Sequence, residues 1–206
     1  MLIDFTATNY KCLKNESTLS LTADNSQSLN HHVHKQEQYN ILRGAVIYGA
    51  NGGGKTTVIA AMKFFVSIIL NSPSNEANAL LVHPCFAFDP SSKKEPISFK
   101  TNFLISGKRY EYSFSYLPSK VISEELYCWD SSSKSRKRYI IKRLEQKIQI
   151  NNIPKKKAIL DSLSSLHENQ LILPEIACQS EGMSDILDFF KNWLFINSNR
   201  NSYNFT

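Results

Sequence analysis

The 206-residue sequence predicts an α/β fold with a strand-rich middle part and a helical C-terminal part. Three observations support this fold class. A compact apolar run, Gly44 to Tyr48, is followed by a glycine cluster and then by a helical pattern. Four alternating segments fill residues 97–144, and helical periodicity returns after residue 155. We therefore expect strands and helices in one chain.

In the first third of the chain, residues 2–8 and 18–22 alternate apolar and polar side chains, which predicts two short strands. Residues 24–40 are polar without a period and are interpreted as a loop. The run Gly44 to Tyr48 is too short for a helix and is bounded by glycines, which predicts a buried strand. A helix with a continuous apolar stripe is then expected up to the Asn71-Ser-Pro break, because apolar residues recur at helical spacing at positions 58, 61, 62, 65, 66 and 69.

The rest of the chain has a different pattern of apolar and polar residues. Residues 97–105, 109–117, 121–129 and 136–144 alternate between turn signals and predict an antiparallel meander. Residues 147–154 add a further expected strand. Residues 155–166 and 184–194 have helical patterns, the second with Ser184 as the expected N-cap. The predicted organisation is therefore three segments, residues 1–72, 84–150 and 155–206.

Composition excludes several classes of protein. The chain is 42% hydrophobic and 20% charged, which is enough apolar material for a folded core. Its longest apolar stretch, 58–70, is interrupted by Lys63 and Ser67 and is too short for a bilayer of about 30 Å. The N-terminus lacks the pattern of a signal peptide, so we expect a cytoplasmic protein without a membrane segment. The four cysteines show no CxxC pair, which favours neither a zinc site nor a disulfide framework.

Positive charge is concentrated in one segment of the sequence. The net charge of +6 conceals a run from Lys134 to Lys157 in which ten lysines and arginines face the single Glu145. This run is either a solvated hairpin or a surface for nucleic-acid phosphates. For the second interpretation, the candidate residues are Lys134, Arg136, Lys137, Arg138, Lys142 and Arg143.

The glycine cluster fits a phosphate-binding pattern. Residues 49–56, GANGGGKT, match G-x-x-x-x-G-K-[ST] between an expected strand and an expected helix. Glycine permits the backbone angles and the close approach of amides that a phosphate needs. Lys55 supplies the cation for the β and γ phosphates and the catalytic charge, and the Thr56 hydroxyl is the expected Mg²⁺ ligand. The candidate residues for binding ATP are Gly49, Asn51, Gly52, Gly53, Gly54, Lys55, Thr56 and Thr57.

The N-terminal third resembles a known family. MLIDFTATNYKCLKN, TLSLTAD and ILRGAVIYGANGGGKTTVIAAMKFF are similar to the N-terminal part of SMC-like and OLD-type ABC ATPases, which are common in bacterial anti-phage defence. The resemblance is strong up to about residue 70 and weaker through residue 129. It implies an ATPase head that uses ATP and Mg²⁺, assembles as a homodimer or larger assembly and acts with an effector protein. The family's N-[FY]-[RK]-S stretch matches NYKCL, which places Lys11 near the nucleotide.

The departures from the family pattern limit the expected activity. A strand ending in Asp-Glu and an L-S-x-G helix start are missing, and no glutamine can be assigned as the sensor of the γ phosphate. LILPE ends in Glu175, but Pro174 is unsuited to a central strand. We therefore expect ATP binding, with hydrolysis dependent on a missing half or a partner. The alternatives are a non-catalytic, nucleotide-switched module that binds nucleic acid and, less favoured, a small-molecule kinase.

Overall fold

The computed structural model describes residues 1–24, 30–36, 38–129 and 136–193, and its main feature is one seven-stranded sheet. The strand order is β2-β1-β5-β6-β7-β8-β9, and every pair in it is antiparallel. The strands of this sheet are β1 (Leu2–Thr8), β2 (Ser17–Ser20), β5 (Ile97–Ile105), β6 (Lys108–Leu117), β7 (Lys120–Trp129), β8 (Arg138–Leu144) and β9 (Lys147–Ile150). The predicted meander is confirmed, because alternation of side chains is a local property of each strand.

A second, two-stranded sheet is formed by β3 (Val33–Gln36) and β4 (Tyr39–Leu42). The interpretation of residues 24–40 as a loop was therefore wrong for its second half. Ile41 is buried with Ile3 and Leu104 and fixes this hairpin on one end of the large sheet. The hairpin is stabilised by this packing, and its polar sequence has no alternation from which the strands could be predicted.

Four helices complete the described part of the chain, and they cover one face of the large sheet. They are α1 (Lys55–Asn71), α2 (Lys156–Leu163), α3 (Ile172–Ala177) and α4 (Glu181–Trp193). Phe65 of α1 lies at the centre of the core, 5.4 Å from the ring of Phe114 and 5.4 Å from that of Phe190 on α4. The fold class predicted from the sequence, an α/β lobe with an antiparallel part and C-terminal helices, is confirmed.

One local prediction in the C-terminal part was wrong. Ser184 is not an N-cap, since α4 begins at Glu181 and the Ser184 hydroxyl donates to the Glu181 carbonyl within the helix. LILPE lies largely in α3, where Pro174 occupies the first turn and needs no partner for its missing N–H. The strands of residues 1–24 and 97–150 share one sheet, and the division into three segments remains a prediction.

The predicted strand at Gly44 to Tyr48 is the main correction to the fold. These residues have no regular secondary structure, and Val46 and Tyr48 are 85% and 89% exposed. A buried strand needs neighbours on both edges, and none of the described strands pairs with this segment. The apolar run is therefore an irregular, uncovered piece of chain that leads into the glycine cluster and α1.

Helix α1 is apolar enough to raise the question of a membrane. Together with the turn after it, residues 55–74 could cross a bilayer by length and composition alone. However, Ala61, Met62, Phe65, Val66 and Ile69 are buried in the core that α1 forms with the sheet. The same test is passed by core helices of soluble proteins, so α1 does not indicate a membrane protein.

Candidate functional site

The glycine-rich loop, residues 49–54, connects an irregular stretch of chain to the start of α1. Gly52 and Gly54 have φ angles of 80° and 84°, in the left-handed region that residues with a Cβ rarely adopt. A Cβ on Gly53 would lie 3.0 Å from the Ala50 carbonyl oxygen, and one on Gly54 would lie 3.3 Å from Cys12 Sγ. The Gly53 amide donates to the Ala50 carbonyl at 3.1 Å. The loop is therefore a tight bend whose backbone conformation requires glycine at these positions.

Lys55, the first residue of α1, points back over the loop. Its Nζ donates to the carbonyls of Gly49 at 2.7 Å and Ala50 at 2.8 Å. Both partners are neutral carbonyls, and the structure gives this ammonium no carboxylate partner among the described residues. The positive charge of Lys55 is therefore held at the mouth of the loop without being neutralised.

The start of α1 is suited to an anion. Its cap residue Gly54 has no side chain to accept from the first-turn amides, and the first turn contains no acidic residue. Unpaired amides and the helix dipole together carry roughly half a positive charge. Thr56 is exposed in this turn, next to Lys55. Anionic groups of a nucleotide would therefore meet backbone amides, an ammonium and a hydroxyl at one place.

The turn after β1 contacts this helix start. Tyr10 and Leu13 exchange two backbone hydrogen bonds, of 2.9 and 2.8 Å, which close the turn. The Cys12 thiol donates to Thr57 Oγ1 at 3.1 Å, and the Tyr10 ring lies 5.5 Å from Phe64 of α1. The NYKCL stretch is therefore fixed beside residues 54–57. Lys11 Nζ lies 5.6 Å from the Tyr10 ring centroid, and its role at the nucleotide remains a proposal.

Sequence reasoning missed the residue that anchors this turn. Asn9 is buried with a left-handed φ of 55°, a conformation that asparagine tolerates. Its Nδ2 donates to the carbonyls of Ser92 at 2.9 Å and Glu95 at 3.0 Å, and its Oδ1 accepts from the Phe86 amide at 3.0 Å. The sequence feature that could have indicated this turn is an asparagine directly after an apolar strand. Nothing in the sequence around Cys12 indicated its contact with Thr57.

The structure does not assemble a hydrolytic centre from the described residues. Within residues 1–24, 30–36, 38–129 and 136–193, no group of three or more histidines, cysteines, aspartates or glutamates could hold a metal ion. Glu175 lies in α3 and not at the end of a strand. Among the residues that the structure describes, no strand that ends in an Asp-Glu pair lies beside the glycine loop.

The basic segment, residues 134–157, contains both exposed and buried cations. Lys134 lies outside the described residues, and Arg136, Lys137 and Arg138 are exposed. The nucleic-acid interpretation was wrong for Arg143, which is only 3% exposed. Its guanidinium donates to the backbone carbonyls of Glu145, Gln170 and Glu168. Arg143 therefore holds the polypeptide chain together and is not available to a phosphate.

Comparison with known proteins identifies the family. No curated protein and no solved structure matches the chain. The model of a family described as "AAA domain, putative AbiEii toxin, Type IV TA system" matches residues 45–205, which include the glycine loop and most of the sheet. This match covers well over half of the chain, so the protein belongs to that family of AAA domains, whose members are generally P-loop ATPases.

Proposed function

We propose that the chain binds ATP with Mg²⁺ through residues 49–57 as part of an SMC-like ABC ATPase. The observation that carries the proposal is the combination of left-handed glycines, an uncapped helix start and the Lys55 ammonium at one bend. Gly49, Asn51, Gly52, Gly53 and Gly54 would line the phosphates, with Lys55 as the cation and catalytic charge. Thr56 would ligate Mg²⁺, while Thr57 and Lys11 would border the site. The ion would neutralise phosphate charge.

Binding is tested by calorimetry with ATP and Mg²⁺ on the full chain. Lys55→Ala should lose at least tenfold in affinity, since hydrogen bonds to charged groups contribute about 1.5 to 3 kcal/mol each. Lys63→Ala is the matched control, because Lys63 is an exposed lysine on the same helix. Equal affinity in the two variants would contradict the assignment.

Hydrolysis, by contrast, should require residues outside the described ones. The apolar residues before the loop support this part of the proposal, since Val46, Ile47 and Tyr48 lie uncovered where a strand of a P-loop protein would be paired. Leu80, Val82 and Phe88 add further exposed apolar side chains. Such exposure is typical of a surface that another element covers. We propose that this element completes the ATPase head and supplies the missing Asp-Glu and signature residues.

Assembly and biological role follow from the same proposal. We expect a homodimer or larger assembly of ATPase heads in the cytoplasm, acting with an effector protein. The toxin named in the family description supports a role in anti-phage defence. Light scattering with and without ATP–Mg²⁺ tests the assembly: a shift to a dimer in the parent and not in Lys55→Ala is expected. A monomer under saturating ATP would contradict a nucleotide-dependent dimer.

A further inference from the structure

The face of the large sheet opposite α1 and α4 carries a row of aromatic and basic side chains. Strand pairing places Arg109 opposite Trp129, and Tyr127 opposite both Glu111 on β6 and Tyr139 on β8. Side chains that pair in this way share one face of a sheet. We call this row the outer ladder; its members are Arg109, Tyr127, Trp129, Lys137, Tyr139 and Lys142.

In the outer ladder every aromatic ring has a cation beside it. The guanidinium of Arg109 lies 4.4 Å from the Trp129 ring centroid. Lys137 Nζ lies 3.9 Å from the Tyr127 centroid and 5.2 Å from that of Trp129. Lys142 Nζ lies 5.5 Å from the Tyr127 centroid and 5.2 Å from that of Tyr139. The ladder thus alternates positive charge and π surface across three strands.

The aromatic rings of the outer ladder are not part of the apolar core. Its three rings are half-buried and belong to neither of the two apolar clusters of the described residues. Arg109 is held in position by Asn102, whose Oδ1 accepts from Nε at 3.2 Å and from Nη2 at 2.9 Å. These contacts fix the Arg109 guanidinium between the Trp129 ring and the Tyr39 ring of the β3–β4 hairpin, 6.0 Å from the Tyr39 centroid.

Charge on this face favours an anionic ligand. Among the ladder residues and their direct neighbours, the cations Arg109, Lys137 and Lys142 exceed the acids Glu111 and Glu125. Lys137 is paired with Glu111 at 2.8 Å, but its side chain remains 43% exposed and can reorient toward a phosphate. The Glu111 carboxylate is the less exposed partner of this pair, at 17%.

We propose that the outer ladder binds single-stranded nucleic acid. Unpaired bases stack on Tyr127, Trp129 and Tyr139, and the backbone phosphates engage Lys137 and Lys142. Interleaved aromatic and basic side chains on a groove are the usual means of binding single strands without sequence preference. A duplex is a poor ligand, because its bases are stacked inside and cannot reach the rings. This inference concerns a surface apart from the nucleotide loop.

The same face continues as a shallow groove that can accept the rest of a strand. Hydroxyl groups line it together with Lys100 and Glu16, whose charged groups lie 3.7 Å apart, and the hydroxyls provide donors for sugar and phosphate oxygens. The groove residues include Thr6, Thr8, Ser98, Lys100, Ser113 and Ser115. Ser113 lies opposite Glu125, which pairs with Lys142, so the groove adjoins the ladder.

The proposal is tested by fluorescence anisotropy with a labelled dT20 strand and the full chain at low salt. Trp129→Ala should weaken binding about tenfold, and Trp129→Phe, which keeps an aromatic face, should bind within about threefold of the parent. The double variant Lys137→Ala/Lys142→Ala should reduce the dependence of log K on log salt by about 0.7 for each lysine. A labelled duplex of the same length should bind more weakly than dT20.

The matched control removes the same charge elsewhere. Lys156→Ala/Lys157→Ala, at the exposed start of α2, should change dT20 affinity less than twofold. Lys55→Ala should leave dT20 binding unchanged, so failure of the nucleotide site would not affect the result. Absence of dT20 binding at low salt, equal binding by folded Trp129→Ala, tighter binding of the duplex, or equal losses from the two double-lysine variants would each overturn the proposal.

Discussion

Gly54 is the residue at which the loop becomes a helix, and its conformation makes it specific for glycine. Its φ of 84° costs a residue with a Cβ roughly 1 to 2 kcal/mol. An added Cβ would also approach Cys12 Sγ to 3.3 Å and Leu13 Cδ2 to 3.7 Å. A substitution here therefore strains the loop and displaces the turn that borders it.

We expect Gly54→Ala to weaken ATP binding and to lower the melting temperature, because both the loop and the turn must shift. Gly44→Ala is the matched control, since a Cβ at Gly44 would meet nothing within 4 Å. Calorimetry and thermal unfolding measure the two effects. An unchanged affinity and melting temperature in Gly54→Ala would show that this conformation is not required.

Glu124 has a fully buried carboxyl group that joins β7 to α3. Its Oε1 accepts from Tyr112 Oη at 2.8 Å and from the Leu173 amide at 2.9 Å, and its Oε2 accepts from the Ile172 amide at 2.6 Å. Burial raises the pKa of Glu124 above its ordinary 4.5, against the opposing effect of these donors and of Arg143. The folded chain therefore keeps this proton at pH values where the unfolded chain has lost it.

We expect a pH dependence of unfolding that Glu124→Gln removes. The contribution of the raised pKa to stability is complete below pH 4.5 and is lost as the pH rises through the folded-state pKa. The glutamine should also cost about 1 to 3 kcal/mol, because its amide nitrogen opposes a buried donor. Urea unfolding from pH 4 to 7 compares the two proteins. If the free energy of unfolding varied with pH in the same way in both proteins, the raised pKa of Glu124 would be contradicted.

At the scale of elements, local patterns predicted the strands and α1 well. The alternation in residues 97–144 and the stripe from Val58 to Ile69 depend on nearest neighbours along one element. The run Gly44 to Tyr48 was predicted as buried from composition alone, yet burial depends on strands far away in sequence. The β3–β4 hairpin and α3 were missed because Ile41 and Pro174 take their places from tertiary packing. The loop residues came from a motif and the NYKCL turn from a family resemblance, and their roles remain predictions, whereas the Asn9 contacts and the outer ladder depend on tertiary structure.

The uncovered segment before the loop should tolerate polar substitution in the isolated chain. We expect Val46→Ser/Tyr48→Ser to change the free energy of unfolding by no more than about 0.5 kcal/mol, as for ordinary surface positions. Phe65→Ala, in the centre of the core, should instead cost about 3 to 5 kcal/mol. Urea unfolding measures both. A loss above 2 kcal/mol in the double serine variant would mean that these side chains are buried in solution.

At the scale of the whole molecule, the strands described in residues 1–24, 30–36, 38–129 and 136–193 all pair in antiparallel fashion, unlike the parallel strands that usually flank a P-loop. Only one face of α1 is covered by the antiparallel sheet, and the glycine loop lies at the edge of the ordered core. Within the described part of the chain, the proposed binding site is therefore supported from the side of β1 and the turn that Asn9 anchors. Turnover should then be slow even where binding is intact, since positioning of all charged groups dominates phosphoryl transfer.

Steady-state assays on the full chain test this expectation. We expect ATP turnover at least a hundredfold below the 1 to 100 s⁻¹ typical of complete phosphoryl-transfer enzymes such as kinases. Lys63→Ala should behave as the parent and serves as the control for the assay. Rapid hydrolysis by the isolated chain would contradict the need for a completing element.

The extended chain after β4 also predicts how the molecule responds to cleavage. Arg43 is exposed and is followed by residues without regular secondary structure, which is the kind of peptide that trypsin accepts. However, β1 lies between β2 and β5, inside the large sheet. A chain nicked after Arg43 should therefore remain one particle on a sizing column and separate into two fragments only in denaturant.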